Sequence, residues 1–275
     1  MGEERAVQRH DMPVTPDAIL ADLRALGVEP GSVLLVHSSL SSLGWVPGGA
    51  HGVVLALVEA VGPRGTLVMP THSTHLTDPA IWANPPVPES WWPVIRESNP
   101  VFDIDLTPTR QMGAIVECFR HLPGVLRSNH PHHSFAAAGP LAREIVSSHP
   151  LAESLGDGSP LARVYDADGA VLLLGVGHGN NTSLHLGEYR AEYPGKRRSK
   201  NGARVLVDGV ARWVEYDEFE ADSGDFEQLG AEFATTGMER AGRVGAADAR
   251  LMRQRDAVDY AVGWFARNRP APAAP

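Results

Sequence analysis

Residues 32–71 read SVLLVHSSLSSLGWVPGGAHGVVLALVEAVGPRGTLVMPT. Two short apolar runs, SVLLVH at 32–37 and GTLVMPT at 65–71, are each bounded by turn-forming residues. That is how strands buried on both faces read. Between them a polar, Gly-rich loop leads into AHGVVLALVEAV at 50–61, which has the length of a helix and is closed by Gly62-Pro63. Strand, loop, helix, strand is a crossover unit, and crossovers join parallel strands. The stretch predicts an α/β fold.

Upstream, Thr15 is a helix cap, Pro16 suits the first helical turn, and Ile19, Leu20, Leu23 and Leu26 form one apolar face that Gly27 ends. Downstream, the periodicity fails from Thr71 to Pro108, where seven prolines lie between Pro79 and Pro108 together with Trp82, Trp91 and Trp92. A segment this long without a pattern predicts a substrate lid or binding loop over 71–108. Helices are then predicted at 110–121, 141–149 and 182–193, and strands at 134–139 and 170–176. ARVLV-DG-VARWVEY predicts a β-hairpin over 203–216, because Asp208-Gly209 suits a two-residue type I′ turn. Antiparallel strands beside parallel ones imply a mixed sheet. Residues 217–235 and 245–267 read as helices. The organisation expected is an N-terminal extension over 1–14, one domain over 15–268, and a disordered tail, RPAPAAP, over 269–275.

Composition narrows the function. The 275 residues are 43% apolar and 21% charged, as in an ordinary globular protein. No apolar run reaches the roughly 18 residues that cross a bilayer, and MGEERAVQRHDMPV has no apolar core of a signal peptide. A cytoplasmic protein with no membrane partner is expected. Twenty-four basic and 33 acidic residues give a net charge of −9, which opposes nucleic-acid binding and suits a cationic partner. The single cysteine, Cys118, rules out an intrachain disulfide framework and reads as a small buried hydrophobe.

Four stretches could carry chemistry. HSSLSSLG, 37–44, joins a buried strand to a helix. It is either a phosphate or pyrophosphate cradle or a polar loop capping its own helix, and it contains neither a Walker A nor a GxGxxG pattern. In GVGHGNNTSLHLGEY, 175–189, His185 lies in the first turns of a helix that shares one face with Glu188 and Glu192. The helix dipole disfavours an imidazolium there, so a neutral base is one reading and a histidine satisfied by a local carboxylate is the other. His178 shares the ambiguity. WVEYDEFEADSGDFEQLGAE, 213–232, holds eight acids and no Lys or Arg. It is a solvated face, or else Glu215 and Asp217 end a strand near His185. Finally, SNHPHHSF brings His130, His132 and His133, with His72 and His75 upstream, and raises a metal site. HEXXH and an i, i+4 histidine pair are absent, so no metal is expected. KRRSK at 196–200 reads as a solvated basic stretch.

Taken in order, VLLVHSSLSSLGWVPGG, GTLVMPT, DPAIW, PPVPESWWPVIRE, TPTRQMG, RSNHPHHSFAAAGP and LLLGVGHGNNTSLHLGEY resemble the aminoglycoside 3-N-acetyltransferases, the antibiotic N-acetyltransferase family that is distinct from the GNAT fold. The resemblance runs from about residue 16 to 266. It implies a three-layer αβα fold with a mixed central sheet. It implies acetyl transfer from acetyl-CoA to the 3-amino group of the 2-deoxystreptamine ring. It implies His185 as general base oriented by Glu215. It implies a coenzyme site on His37, Ser38, Ser39, Leu40, Ser41, Ser42, Leu43 and Gly44, with further contacts at Thr71, Thr109, Met112 and Gly113. The hydroxyl of Thr71 or the amides of Ser38 to Leu43 would donate to the oxyanion. A polycationic substrate would meet Asp78, Trp82, Asp103, Glu188 and Asp217. One departure is Gly187, where the family commonly has alanine; a glycine there loosens the helix by roughly 1 kcal/mol. A homodimer is left open.

Three other readings stay in view: an acetyltransferase for a different small amine, a metal hydrolase built on the histidine cluster, and a binding protein that sequesters the drug. Retention of both His185 and Glu215 argues against the last.

Overall fold

The structure, a computed structural model, describes residues 12–269 together with Val7. The Thr15 hydroxyl accepts the Ala18 amide at the start of α1 (Pro16–Leu26), and Gly27 closes it at φ 111°. Then follow β1 (Val33–Ser38), α2 (Ala50–Val61) and β2 (Thr66–Pro70), with β1 and β2 parallel from Val33 opposite Thr66. The decisive stretch forms the unit it predicted. The remaining elements are α3 (Trp92–Ser98), α4 (Gly113–Arg120), β3 (Leu126–Arg127), β4 (Phe135–Ala138), α5 (Ala142–Val146), α6 (Pro160–Asp166), β5 (Ala170–Leu174) and α7 (Ser183–Arg190). They are followed by β6 (Arg198–Val207), β7 (Val210–Phe219), α8 (Phe226–Ala234), β8 (Glu239–Val244), β9 (Ala247–Arg253) and α9 (Gln254–Asn268).

The main sheet runs β3-β4-β2-β1-β5-β9-β8. Only β2, β1 and β5 are parallel; β3, β4, β9 and β8 are antiparallel to their neighbours. Alternation along β1 sorts the core into two layers. Leu34 and Val36 face α1, α2 and α4, while Val33 and Leu35 face α5 to α9. Helices thus cover both faces of a mixed sheet, giving a three-layer αβα fold. The chain crosses from β1 to β2 on one side and returns from β4 to β5 on the other, and the crevice beyond the carboxyl end of β1 is where such sheets bind ligands.

The sheet is mixed for a reason other than the one expected. The Asp208-Gly209 turn forms, with both residues at positive φ, but its strands make a separate two-stranded ribbon. The antiparallel strands of the main sheet include β8, in a stretch given no element, and β9, inside the stretch read as helix 245–267; only 254 onward is helical. The helix expected over 217–235 begins at Phe226, because Asp217 to Phe219 complete β7. The 71–108 segment is short helical turns and α3 rather than structureless loop, tied at both ends to the buried Arg127, whose guanidinium donates to Thr71 O (2.8 Å) and Thr107 O (2.6 Å). Arg269, assigned to a disordered tail, is ordered and fully bonded. The rest of that tail and most of the 1–14 extension lie outside the described residues.

Candidate active site

The loop after β1 is cross-braced. The Ser39 amide donates to Leu174 O (2.9 Å), and the Ser42 hydroxyl bridges Ser39 Oγ (3.0 Å) and Gly175 O (3.1 Å). Gly44, Gly48 and Gly49 take φ of 93°, 75° and 56°, which lets the chain turn sharply into α2. Ser38, Ser39, Leu40, Ser41 and Gly44 line a cleft of about 870 Å³, completed by Met112 and Gly113 on one side and Val176 and Asn180 on the other. The Ser38 hydroxyl is buried with no hydrogen-bond partner among the described residues.

On α7, His185 Nδ1 lies 2.7 Å from Glu188 Oε2. The carboxylate is fully buried, so the hydrogen bond places the imidazole proton on Nδ1 and leaves the Nε2 lone pair free. The His185 ring packs on Phe226 at 4.6 Å between centroids. Glu188 Oε1 accepts from the Asp222 amide (2.9 Å) and from Arg269. Neutral imidazoles surround the pair. Burial, and then the nearby His185, pushes His37 down to about 3. Burial and neighbouring histidines hold His72 well below the usual histidine range, and burial lowers His133 against the opposing pull of Glu218.

A second cleft, of about 740 Å³, opens under the 71–108 segment, with Thr77, Ile81 and Trp82 on one wall and Asn201, Glu218 and Glu220 from the ribbon region on the other. Glu218 is buried; Asn201 Nδ2 donates to its Oε2 (2.6 Å), while its Oε1 stands 3.7 Å from His133 Nδ1 without a hydrogen bond. His133 belongs to this wall, Ser38 to the first cleft, and Gln111 lines both. Gln111 sits at φ 60°, a left-handed conformation that costs a non-glycine residue on the order of 1 kcal/mol, at the junction of the two clefts. His185 acts electrostatically on His37, which adjoins Ser38 in sequence, and on His133 in the wall of the second cleft.

Of the residues expected at the coenzyme site, Ser38, Ser39, Leu40, Ser41, Gly44, Met112 and Gly113 line the first cleft. His37, Ser42 and Leu43 support it from behind: His37 is buried and within 3.3 Å of Thr182 Oγ1, and Leu43 is fully in the core. Thr109 gives its amide to Glu117, and the Thr71 hydroxyl is buried against Ser134 and Arg127, so neither faces this cleft. That removes Thr71 as an oxyanion donor.

The acids fall differently from expectation. Glu215 does not meet His185. It pairs in register with Gly202 on the exposed face of the ribbon, and Glu188 occupies the position beside Nδ1. Asp217 is exposed and bound to Lys200 at 2.9 Å. Side chains alternate along a strand, so the buried face of β7 is Tyr216 and Glu218, which the sequence reading passed over. Asp78 is held by Arg96 through both carboxylate oxygens, and Asp103 caps its own turn at the Asp105 and Leu106 amides. Trp82 does line the second cleft, its indole N–H donating to Thr77 Oγ1 (3.0 Å).

The histidine cluster is structural. His130 Nδ1 accepts the His132 and His133 amides, His132 bonds Leu76 O and the Tyr216 hydroxyl, and His149 bridges Ser128 Oγ and Ser154 O. Among the described residues no group of three or more His, Cys, Asp or Glu is placed to hold a metal ion. No helix among them is long and apolar enough to cross a membrane.

Two clefts that share Gln111, together with a histidine–carboxylate pair, suit a transferase with two substrates. The chain belongs to the aminoglycoside 3-N-acetyltransferase family of acyltransferases, whose model matches residues 35–266. It is 45% identical over 266 residues to the SPbeta prophage-derived aminoglycoside N(3')-acetyltransferase-like protein YokD of Bacillus subtilis, covering 96% of this chain and 97% of that one. The crystal structure of YokD superposes with a TM-score of 0.94 over 97% of this chain and 98% of that one. Two further structures are similar at 30% identity and a TM-score of 0.84: AAC-IIIb as a binary complex with CoASH, covering 96% of this chain and 100% of that one, and AAC-VIa bound to sisomicin, covering 94% and 100%.

Proposed function

We propose that the protein transfers the acetyl group of acetyl-CoA to the 3-amino group of the 2-deoxystreptamine ring of an aminoglycoside, with His185 as general base and Glu188 as its orienting carboxylate. The observation that carries this reading is the 2.7 Å His185–Glu188 pair, whose imidazole acts on His37, next to Ser38 of the first cleft, and on His133 of the second. The first cleft, walled by the serine- and glycine-rich loop, suits the coenzyme, in keeping with the CoASH complex of AAC-IIIb. The second, with its tryptophan and buried carboxylate, suits an amine-rich sugar, in keeping with the sisomicin complex of AAC-VIa.

The chemistry follows from the bonding. The substrate nitrogen attacks the thioester carbonyl carbon as a neutral amine. The C–N bond forms, and His185 Nε2 takes the proton that the nitrogen sheds. Glu188 stabilises the imidazolium so produced and fixes its tautomer. The C–S bond then breaks, and the coenzyme leaves as a thiol once that proton is passed on. Neutral histidines around His185 place no competing cation against the charge that develops on it. The unpartnered Ser38 hydroxyl is the side-chain donor best placed to meet the tetrahedral oxyanion. The test is a thiol-release assay with acetyl-CoA and a panel of aminoglycosides, with the product mapped by NMR. Release that depends on a 2-deoxystreptamine drug, with acetylation at the 3-amino group, is expected. Release only with unrelated small amines would overturn the substrate assignment.

A further inference from the structure

Glu188 is a fully buried carboxylate with two neighbours that carry a positive charge or can acquire one. One is His185. The other is Arg269, the first residue beyond α9, 81 positions away in sequence. The guanidinium spends every nitrogen on this corner of the molecule. Its NH1 donates to Glu188 Oε1 and to the Tyr193 hydroxyl (3.1 Å), its NH2 to Asp222 O (2.6 Å) and Asp225 Oδ1 (2.8 Å), and its Nε to Asp225 Oδ2 (2.8 Å). The plane also lies over Phe265, 4.2 Å from the ring centroid. A surface arginine closing a tail has no need of such a seat.

The approach of α9 to α7 makes the contact possible. At Gly187, one residue before Glu188, a Cβ would stand 2.8 Å from Ala261 Cβ and 3.0 Å from Val258 O, both on α9. The glycine that weakens α7 as a helix therefore lets α9 close on it and carries Arg269 to the carboxylate.

We propose that Arg269 is a positioning residue for the catalytic pair: it neutralises and orients the buried Glu188 carboxylate, and through it sets the direction of the His185 imidazole. The proposal rests on the reading of His185 as base. The guanidinium fork grips Asp225 through Nε and NH2, which fixes the direction of the NH1 that donates to Glu188 Oε1, as a lone ammonium would not. Around the pair, Asp222, Asp225 and Tyr193 bond Arg269, and His37, His72 and His133 are the imidazoles that feel the charge of His185. Without Arg269 the buried dyad would hold its first proton more tightly, whichever of the two groups carries it, because the opposing cation is gone.

Arg269→Ala and Arg269→Lys test this in the full-length protein. For Arg269→Ala, kcat should fall roughly 10- to 100-fold, with both KM values within about twofold, and the acid limb of the kcat–pH profile should move to higher pH. Arg269→Lys should recover the position of that limb but only part of kcat, since it returns the charge without the fork. An independent readout needs no turnover: the ¹⁵N resonances of His185 in the free protein should show a raised midpoint in Arg269→Ala and a near-normal one in Arg269→Lys. Should the alanine variant fail to fold, the lysine variant and its NMR titration decide alone. Unchanged kcat, pH profile and His185 resonances in a variant that has merely lost thermal stability would show Arg269 to be a structural clamp and overturn the proposal. A wild-type protein inactive with every aminoglycoside would sink the proposed function, whereas the NMR titration would still judge Arg269.

Discussion

At His185 the nearest carboxylate is decided by helix geometry: residues three apart share a face, and Glu188 reaches Nδ1 within 2.7 Å. His185→Ala should therefore lower kcat about 10²- to 10⁴-fold, the usual range for a lost general base, while acetyl-CoA affinity measured by calorimetry stays near wild type. Glu188→Gln should lower kcat substantially too, since an amide cannot stabilise an imidazolium, whereas Glu215→Gln should leave kcat within about twofold because its side chain points to solvent. A large loss in Glu215→Gln beside a silent Glu188→Gln would reverse the two roles. His178→Ala serves as a control. That imidazole is buried against Glu239 at 2.7 Å, away from the pair, and its loss should act on stability rather than on the acid limb of the pH profile. The shared face of His185, Glu188 and Glu192 was legible in the sequence, as was a histidine satisfied by its own helix. Attention fell on Glu215 first as the end of a strand read as lying near His185 and then through a family likeness, and neither carries the direction of a side chain. Arg269 was not legible at all: its partner is far away in the chain, and its Pro- and Ala-rich context reads as a frayed end.

At the scale of elements, the loop from β1 to α2 and the strand β7 each set one side of the site. Gly44 turns at φ 93°, where a branched side chain is strained, and it borders the first cleft. Gly44→Val should raise the acetyl-CoA KM about tenfold or more and leave the aminoglycoside KM nearly alone in steady-state assays; the reverse pattern would assign the clefts the other way round. On β7 the alternation puts Asp217 in solvent and Glu218 in the cleft. An exposed ion pair such as Asp217–Lys200 contributes little, roughly 0 to 1 kcal/mol. Asp217→Asn should thus leave both the drug KM and its salt dependence unchanged, while Glu218→Gln should raise that KM by about tenfold, as for the loss of one charge-assisted hydrogen bond. Titrating the drug KM against salt in both variants checks this, and a flattened slope in Asp217→Asn alone would put the exposed face of the ribbon in contact with substrate. The sequence showed the apolar strands β1, β2 and β5 and the helices that cross between them, because burial on both faces leaves an unbroken apolar run. It hid β8, whose run ERAGRV shows too little apolar alternation to be read as a strand, and β9, whose run ADARLMR is polar enough to pass for a helix face. The same lapse, helix read across 217–219, concealed Glu218.

Across the whole molecule, buried histidines couple stability to pH. His37, His132 and His149 are pushed down to about 3, and His72 and His130 well below the usual range, in each case first by burial and then by neighbouring imidazoles or cations. In the unfolded chain each returns to its ordinary value of 6.5. Around and below that value the unfolded state binds protons that the folded state refuses, so stability is fully present only above about pH 7.5 and declines as pH falls toward the folded values. Each such histidine removes up to about 1.4 kcal/mol per pH unit. Five of them acting together can exhaust a typical stability of roughly 5 to 15 kcal/mol near pH 5. Urea midpoints measured at pH 7.5, 6.5 and 5.5 should therefore fall modestly between the first two values and much more between the second and the third. His149 bonds Ser128 and Ser154 through both ring nitrogens, and an amide reaches similar partners without a titrating group. His149→Gln should then be less stable than wild type at pH 7.5 yet lose less on going to pH 5.5. Equal midpoints at pH 7.5 and 5.5 in the wild type would mean that these imidazoles take up protons within the fold as readily as in the unfolded chain, and that their burial places no cost on acidification.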